Sequence, residues 1–154
     1  MPEFKYSIQN FEPLTHVRAS GREIDISPKA TREVCVAIKG LTINRCKKFL
    51  EEVIQKKIAV PFRRFKKKGA HKSSLQGFHT GGYPVKAAKE VLKIVENLEA
   101  NADFKGMDTE KVVIIHSAVM KGRVIKGFKP RAFGRSSPDY NILSHVELVG
   151  KEVL

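Results

Sequence analysis

Phe62-Arg63-Arg64-Phe65 and Phe128-Lys129-Pro130-Arg131-Ala132-Phe133-Gly134-Arg135 set aromatic rings between cations. A guanidinium forks onto phosphate and lies flat on a base, and a phenyl ring adds a sequence-tolerant stacking surface. Both stretches belong to tracts without carboxylates. Asp and Glu are missing between Glu52 and Glu90 and between Glu110 and Asp139, and those 65 positions hold 17 of the 29 Lys and Arg residues. The first tract supplies Arg63, Arg64, Lys66, Lys67, Lys68, His71, Lys72 and Phe78 as candidate RNA contacts. The second supplies Lys121, Arg123, Lys126, Lys129, Arg131, Phe133 and Arg135. A formal charge of +13 segregated in this way cannot be balanced within the chain and asks for a polyanion.

The other chemistries that these residue types could do lack their constellations. No HExxH, CxxC, GxSxG, Walker sequence or GxGxxG occurs. His116 and His145 fall in strand-like runs and read as sheet residues with satisfied rings, and His16 has no neighbouring ligand type. His71 and His79 lie in the basic tract, where they suit bases or phosphate. Glu23 and Asp25 share a strand face open to solvent, while Glu51, Glu52, Glu96 and Glu99 read as wet helix faces beside lysines. The sequence therefore offers no catalytic residue, metal site or cofactor. RNA outranks DNA because the cations crowd irregular loops, whereas the predicted helices have mixed-charge wet faces unsuited to a major groove. A general nucleic-acid-binding module of the chromatin kind and an RNA-modifying enzyme are the competing readings.

Regular elements must carry these loops. Arg22-Glu23-Ile24-Asp25-Ile26 alternates as a short strand, preceded by an extended lead over 1–21. Ser27-Pro28 opens a helix with Ala30, Val34, Ala37 and Ile38 on one face, and Gly40 stops it. Thr42 caps a second helix running to about Lys57, its apolar positions Ile43, Cys46, Phe49, Leu50, Val53 and Ile54. The basic insert 61–82 interrupts all periodicity. A third helix covers about Pro84 to Asn101 with Val85, Ala88, Val91, Leu92, Val95 and Leu98 inward. Strand signals follow at 112–119 and 142–149, and the connection between them is too long for a tight turn. An antiparallel pair whose middle projects as a basic arm, over 120–140, accounts for it. One domain spanning 1–154 contains everything, and segments 62–82 and 121–138 are expected to be mobile until they bind.

Composition agrees. Apolar content of 42% permits a core despite the charge. Cys35 and Cys46 fall on apolar helical phases and read as small core residues. The opening residues resemble neither a secretory nor a transit peptide, and no apolar run approaches the roughly 20 residues that span a bilayer. A soluble protein of a reducing compartment is expected, with no membrane and no small-molecule substrate among its partners.

Four motifs occur in a familiar order: Ile24-Asp25-Ile26-Ser27-Pro28-Lys29, Tyr83-Pro84-Val85-Lys86-Ala87-Ala88, Pro130-Arg131-Ala132-Phe133-Gly134-Arg135, and Ser144-His145-Val146-Glu147-Leu148-Val149. Together they resemble the universal large-subunit ribosomal protein number twenty-two family, from about Arg22 to Val149. The insert 61–82 and the N-terminal lead look like its archaeal and eukaryotic branch. The resemblance implies an α+β fold, three helices packed on a small antiparallel sheet with a long protruding β-hairpin. It also implies a cytoplasmic, ribosome-bound structural protein that braces large-subunit ribosomal RNA, touches neighbouring ribosomal proteins and assists subunit assembly. The hairpin tip, Phe128, Lys129, Pro130, Arg131, Ala132 and Phe133, would line the peptide exit tunnel and meet the nascent peptide. Arg131 and Arg135 would contact RNA, Phe128 or Phe133 would wedge among bases, and Lys121 and Arg123 would lie along the arm. Bacterial relatives have a more uniformly basic tip than this chain, which has Phe133 and Ser136-Ser137-Pro138-Asp139 there.

Overall fold

The computed structural model describes residues 5–67 and 69–153. In chain order it forms β1 (His16–Ile24), α1 (Pro28–Ile38), α2 (Ile43–Ile54), β2 (Val60–Pro61), β3 (Gly81–Gly82), α3 (Val85–Phe104), β4 (Val112–Pro130) and β5 (Ser136–Glu152). Pro28 starts α1 where its missing N–H costs nothing. The Ser27 side chain does not cap the helix; its carbonyl accepts the Thr31 hydroxyl at 2.7 Å and the Thr31 amide at 3.0 Å. Gly40, at φ 88°, turns the chain toward α2. Its N–H donates to the Ile114 carbonyl at 2.8 Å, and the Ile114 amide donates to Leu41 at 3.0 Å, which stitches the interhelical link to β4. α3 ends on Gly106 at φ 71°, whose amide reaches Asp103 while that of Met107 reaches Ala102.

β1, β5 and β4 form one antiparallel sheet in that order, with β5 in the middle, while β2 and β3 form a separate two-stranded ribbon. On the helix side Val17 and Ile114 flank Gly150, Ala19 faces Leu148, and Val119 faces Val146. These residues meet Val34, Ile38, Leu50, Val91, Val95 and Leu98 in one buried cluster. A Cβ at Gly150 would press to 2.6 Å from the Val112 side chain and 3.2 Å from that of Val17, so its two flanking strands crowd this position. Cutting back a fully buried leucine such as Leu98 to alanine should cost about 2–5 kcal/mol. The opposite sheet face is covered by the N-terminal lead, through Ser7 on Glu147 and Tyr6 on Arg18.

β1 starts at His16, six residues before the alternation begins in the sequence and inside the stretch read as lead. Val17 and Ala19 already point inward, but a bulge between Gly21 and Ile24, with Glu23 at φ 52°, breaks the phase. Asp25 and Ile26 consequently lie beyond the strand. α3 runs on to Phe104, past the Asn101 expected, because Ala102 continues its buried stripe. Cys35 and Cys46 are both buried among apolar neighbours, as their helical phase predicts.

Candidate nucleic-acid interface

Pairing of Val60 with Gly82 and Pro61 with Gly81 brings the ends of the insert together, and a bridge between His71 and Thr80 closes its middle. Its first residues are tied to the body by one carboxylate. Glu33, fully buried, accepts the amides of Arg63, Arg64 and Phe65 at 3.0, 3.1 and 3.2 Å. Burial is the largest single influence on Glu33 and disfavours its charge, but the three amides and the Arg32 guanidinium, at 3.0 Å, together outweigh it and hold the carboxyl below its usual range. The anchored backbone turns Arg63 and Arg64 outward, with Lys66, Lys67 and His71 also exposed. Lys68 lies outside the described residues. Phe62 packs on the core instead of stacking freely. Phe65 sits under the cations of Lys29 and Arg64, at 5.8 and 5.7 Å from its centroid. Half-buried Phe78 stacks on His79 and lies beneath Arg63, and half-buried Lys72 lies over Tyr83.

The arm is the outer part of β4 and β5, paired without interruption from Val124 opposite Ile142 to Pro130 opposite Ser136. The ten residues from Lys121 to Pro130 carry the chain about 30 Å at strand rise. A bulge between Lys121 and Val124 marks where it leaves the body, facing the β1 bulge across β5. Bulges sharpen twist, so paired bulges re-aim the ribbon at its root. His145 wedges there: its Nδ1 accepts the Glu23 amide at 3.1 Å and its Nε2 lies 3.2 Å from the Glu23 carboxylate. Lys121, Arg123, Lys126, Lys129, Arg131 and Arg135 are all exposed along the arm or tip. Arg131–Arg135 make the turn, closed by the Arg131 amide on the Arg135 carbonyl at 2.8 Å, with Arg131 Nε on Ser137. Phe133 is held at φ 58° and 93% exposed, a costly backbone conformation that sends an apolar ring into solvent.

Among the described residues no hydrogen bond, ion pair or ring contact joins the candidate side chains of the insert to those of the arm. Lys29, absent from the sequence-based set, lies between them. It lines a recess with Arg64, Phe65 and Lys67 on one side and a cleft with Lys121 and Tyr140 on the other. A signal was present: α1 and α3 each carry a lysine, Lys29 and Lys86, and no acid in the first turn. That is the reverse of what the helix dipole favours, and it adds positive charge to both helix starts. Lys86 is engaged at 2.7 Å by Asp25, whose carboxyl is held below its usual range first by that hydrogen bond and next by one from Asn141.

Ser7, His116 and Glu147 converge like a nucleophile, a base and an acid. Ser7 Oγ lies 2.9 Å from His116 Nε2, and Glu147 Oε1 lies 2.9 Å from that same nitrogen. A relay needs the acid on the far ring nitrogen, so this geometry cannot orient a base toward a nucleophile. Ser7 also gives its amide and hydroxyl to the buried Glu147 carboxylate. The trio fastens the lead to the sheet. Neither buried carboxylate, Glu33 or Glu147, could be read from the sequence, because the groups that hold them include backbone amides distant along the chain.

The family described as Ribosomal protein L22p/L17e matches residues 19–151. The chain belongs to that family. The match takes in all three helices, the insert and the whole arm. Proteins named large ribosomal subunit protein uL22 from Cenarchaeum symbiosum and Nitrosopumilus maritimus are 49% and 47% identical to it. Each covers 99% of this chain, over 99% and 100% of its own length. The uL22 of Archaeoglobus fulgidus is 46% identical over 98% of this chain and 97% of its own length. The relatives are named as ribosomal proteins, and the family is one of ribosomal proteins and not of enzymes. Among the described residues no helix is long and apolar enough to cross a membrane.

Proposed function

We propose that the protein is a structural constituent of the large ribosomal subunit that binds and braces its ribosomal RNA. The observation that carries this reading is a cationic surface running from Arg64 and Lys67 of the insert, across Lys29, to Lys121 and out along the arm. The arm's one carboxylate, Asp139, is neutralised by Lys129 at 3.0 Å. Phosphate neutralisation along such a path gives affinity through counterion release, and two separated limbs hold separate RNA segments at a distance set by the packed body. In this reading 1–154 is one domain, with the insert 61–82 and the arm 120–140 as its RNA-binding limbs. The tip, from Phe128 to Phe133, reaches the wall of the peptide exit tunnel, where the nascent peptide passes. The protein works ribosome-bound in the cytoplasm, beside other ribosomal proteins, and aids subunit assembly.

The test compares affinity for large-subunit ribosomal RNA with affinity for random duplex DNA at equal salt. A strong preference for the RNA is expected. Equal affinities would instead favour a general nucleic-acid-binding module.

A further inference from the structure

Cross-strand partners share a face, so the arm's register sorts its side chains into two sets. One face carries Val124 with Ile142, Lys126 with Tyr140, and Phe128 with Pro138. The other carries Ile125 with Asn141, Gly127 with Asp139, and Lys129 with Ser137, and no aromatic ring. Ile142, Tyr140 and Pro138 continue the parity of Ser144, Val146 and Leu148, whose face lies under the helices in the body. The core-facing side of the sheet thus runs out beyond its cover. There Tyr140 is 51% and Phe128 67% exposed. At its root, Tyr140 and Ile142 wall a cleft of about 650 Å³, closed by Ile26 and Pro28 and edged by Lys29 and Lys121.

We infer that this aromatic face of the arm stacks on unpaired RNA bases, with one extruded base seated in the root cleft, while the Asp139 face turns to water. The inference rests on the RNA-binding reading and specifies which side of the arm does the work. Charge decides the occupant. The aromatic face holds a cation, Lys126, and its cleft is lined by Lys29, Lys86 and Lys121 against one carboxylate, Asp25, which Lys86 engages. The arm's only carboxylate lies on the opposite side. Rings beside uncompensated cations fit nucleotides, whose π-faces stack and whose phosphates need counter-charge.

The experiment measures binding of the full chain to a short unstructured oligoadenylate and to an RNA duplex at fixed salt. Phe128→Ala with Tyr140→Ala should weaken single-strand binding about tenfold per ring and duplex binding much less. Tyr140→Phe should keep the single-strand affinity, because the ring is retained. Ile125→Ala, on the Asp139 face, should change either affinity less than about threefold. All three positions are exposed, so unfolding midpoints should match that of the unaltered chain. A loss from Ile125→Ala equal to that from the paired ring removal would overturn the inference, as would no loss from Phe128→Ala with Tyr140→Ala. In the latter case the face is left to a protein neighbour. If the unaltered chain binds neither RNA, the RNA-binding reading itself fails.

Discussion

Replacing Glu33 with glutamine keeps its shape and removes its charge. The carboxylate accepts three backbone amides and one guanidinium nitrogen in a site closed to water. Glutamine has one acceptor oxygen, good for two of those amides, and turns an NH2 donor toward the third. Hydrogen bonds to charged groups contribute about 1.5–3 kcal/mol each, and a stranded buried donor costs about 1–3 kcal/mol. The amides can escape to water if the insert lifts, so the loss falls on local opening at Arg63–Phe65 and amounts to about 2–4 kcal/mol. That is roughly a 30- to 900-fold change in the opening equilibrium. Hydrogen exchange at residues 63–65, measured beside the global unfolding midpoint, reads it directly. The pH dependence has a definite sign. Because the folded carboxyl lies below its ordinary value of about 4.3, the anchoring is complete above that value and is lost as pH falls through the lower folded one. The glutamine variant at pH 7 should therefore show, relative to the intrinsic exchange rate, the reduced protection that the unaltered chain shows in acid. Unchanged protection at 63–65 in the variant, or loosening that sets in between pH 6 and 8, would refute the reasoning.

Arg131→Ala with Arg135→Ala should leave the midpoint in place, since both side chains are exposed. The same double variant should lower the slope of RNA affinity against salt by about 1.4–1.8, measured by titration over a range of ionic strength. Unfolding by this pair would mean that the tip is part of the body. Burial pushes the Cys35 thiol up to about 12, helped by neighbouring Cys46, and burial alone does the same to Cys46. A thiol reagent at pH 8 should thus label neither until denaturant unfolds the chain; rapid native labelling of either would contradict the packing. Phe133→Gly should raise the midpoint slightly or leave it unchanged, because glycine accepts φ 58° without strain, while RNA affinity falls with the lost ring.

Elements whose apolar spacing matched their burial could be read directly. Ile43, Cys46, Leu50 and Val53 drew α2, and the alternation around Val146 drew β5. The arm was legible for the opposite reason: a cation-rich stretch joined two strand signals and had no core to face. Three kinds of feature escaped. Glu23 in a left-handed bulge broke the phase of β1 and hid its start. Glu33 and Glu147 are charged residues used inside, and their amide partners carry no side-chain pattern. Lys29 and Tyr140 became part of one cleft only through the register that swings β5 past the start of α1.

The sheet order β1-β5-β4 also governs how the molecule comes into being. Its central strand follows the other two in the chain, so His16 waits for Lys151 before β1 has a strand partner. Until then the newborn polypeptide displays an unpaired strand edge and half of an apolar interior, the condition in which chains stick to one another. β4 and β5 are consecutive and can zip from the turn at Arg131–Arg135 inward. The limb destined for RNA is thus free to mature early, and closure of the trunk behind it becomes the slow, vulnerable step.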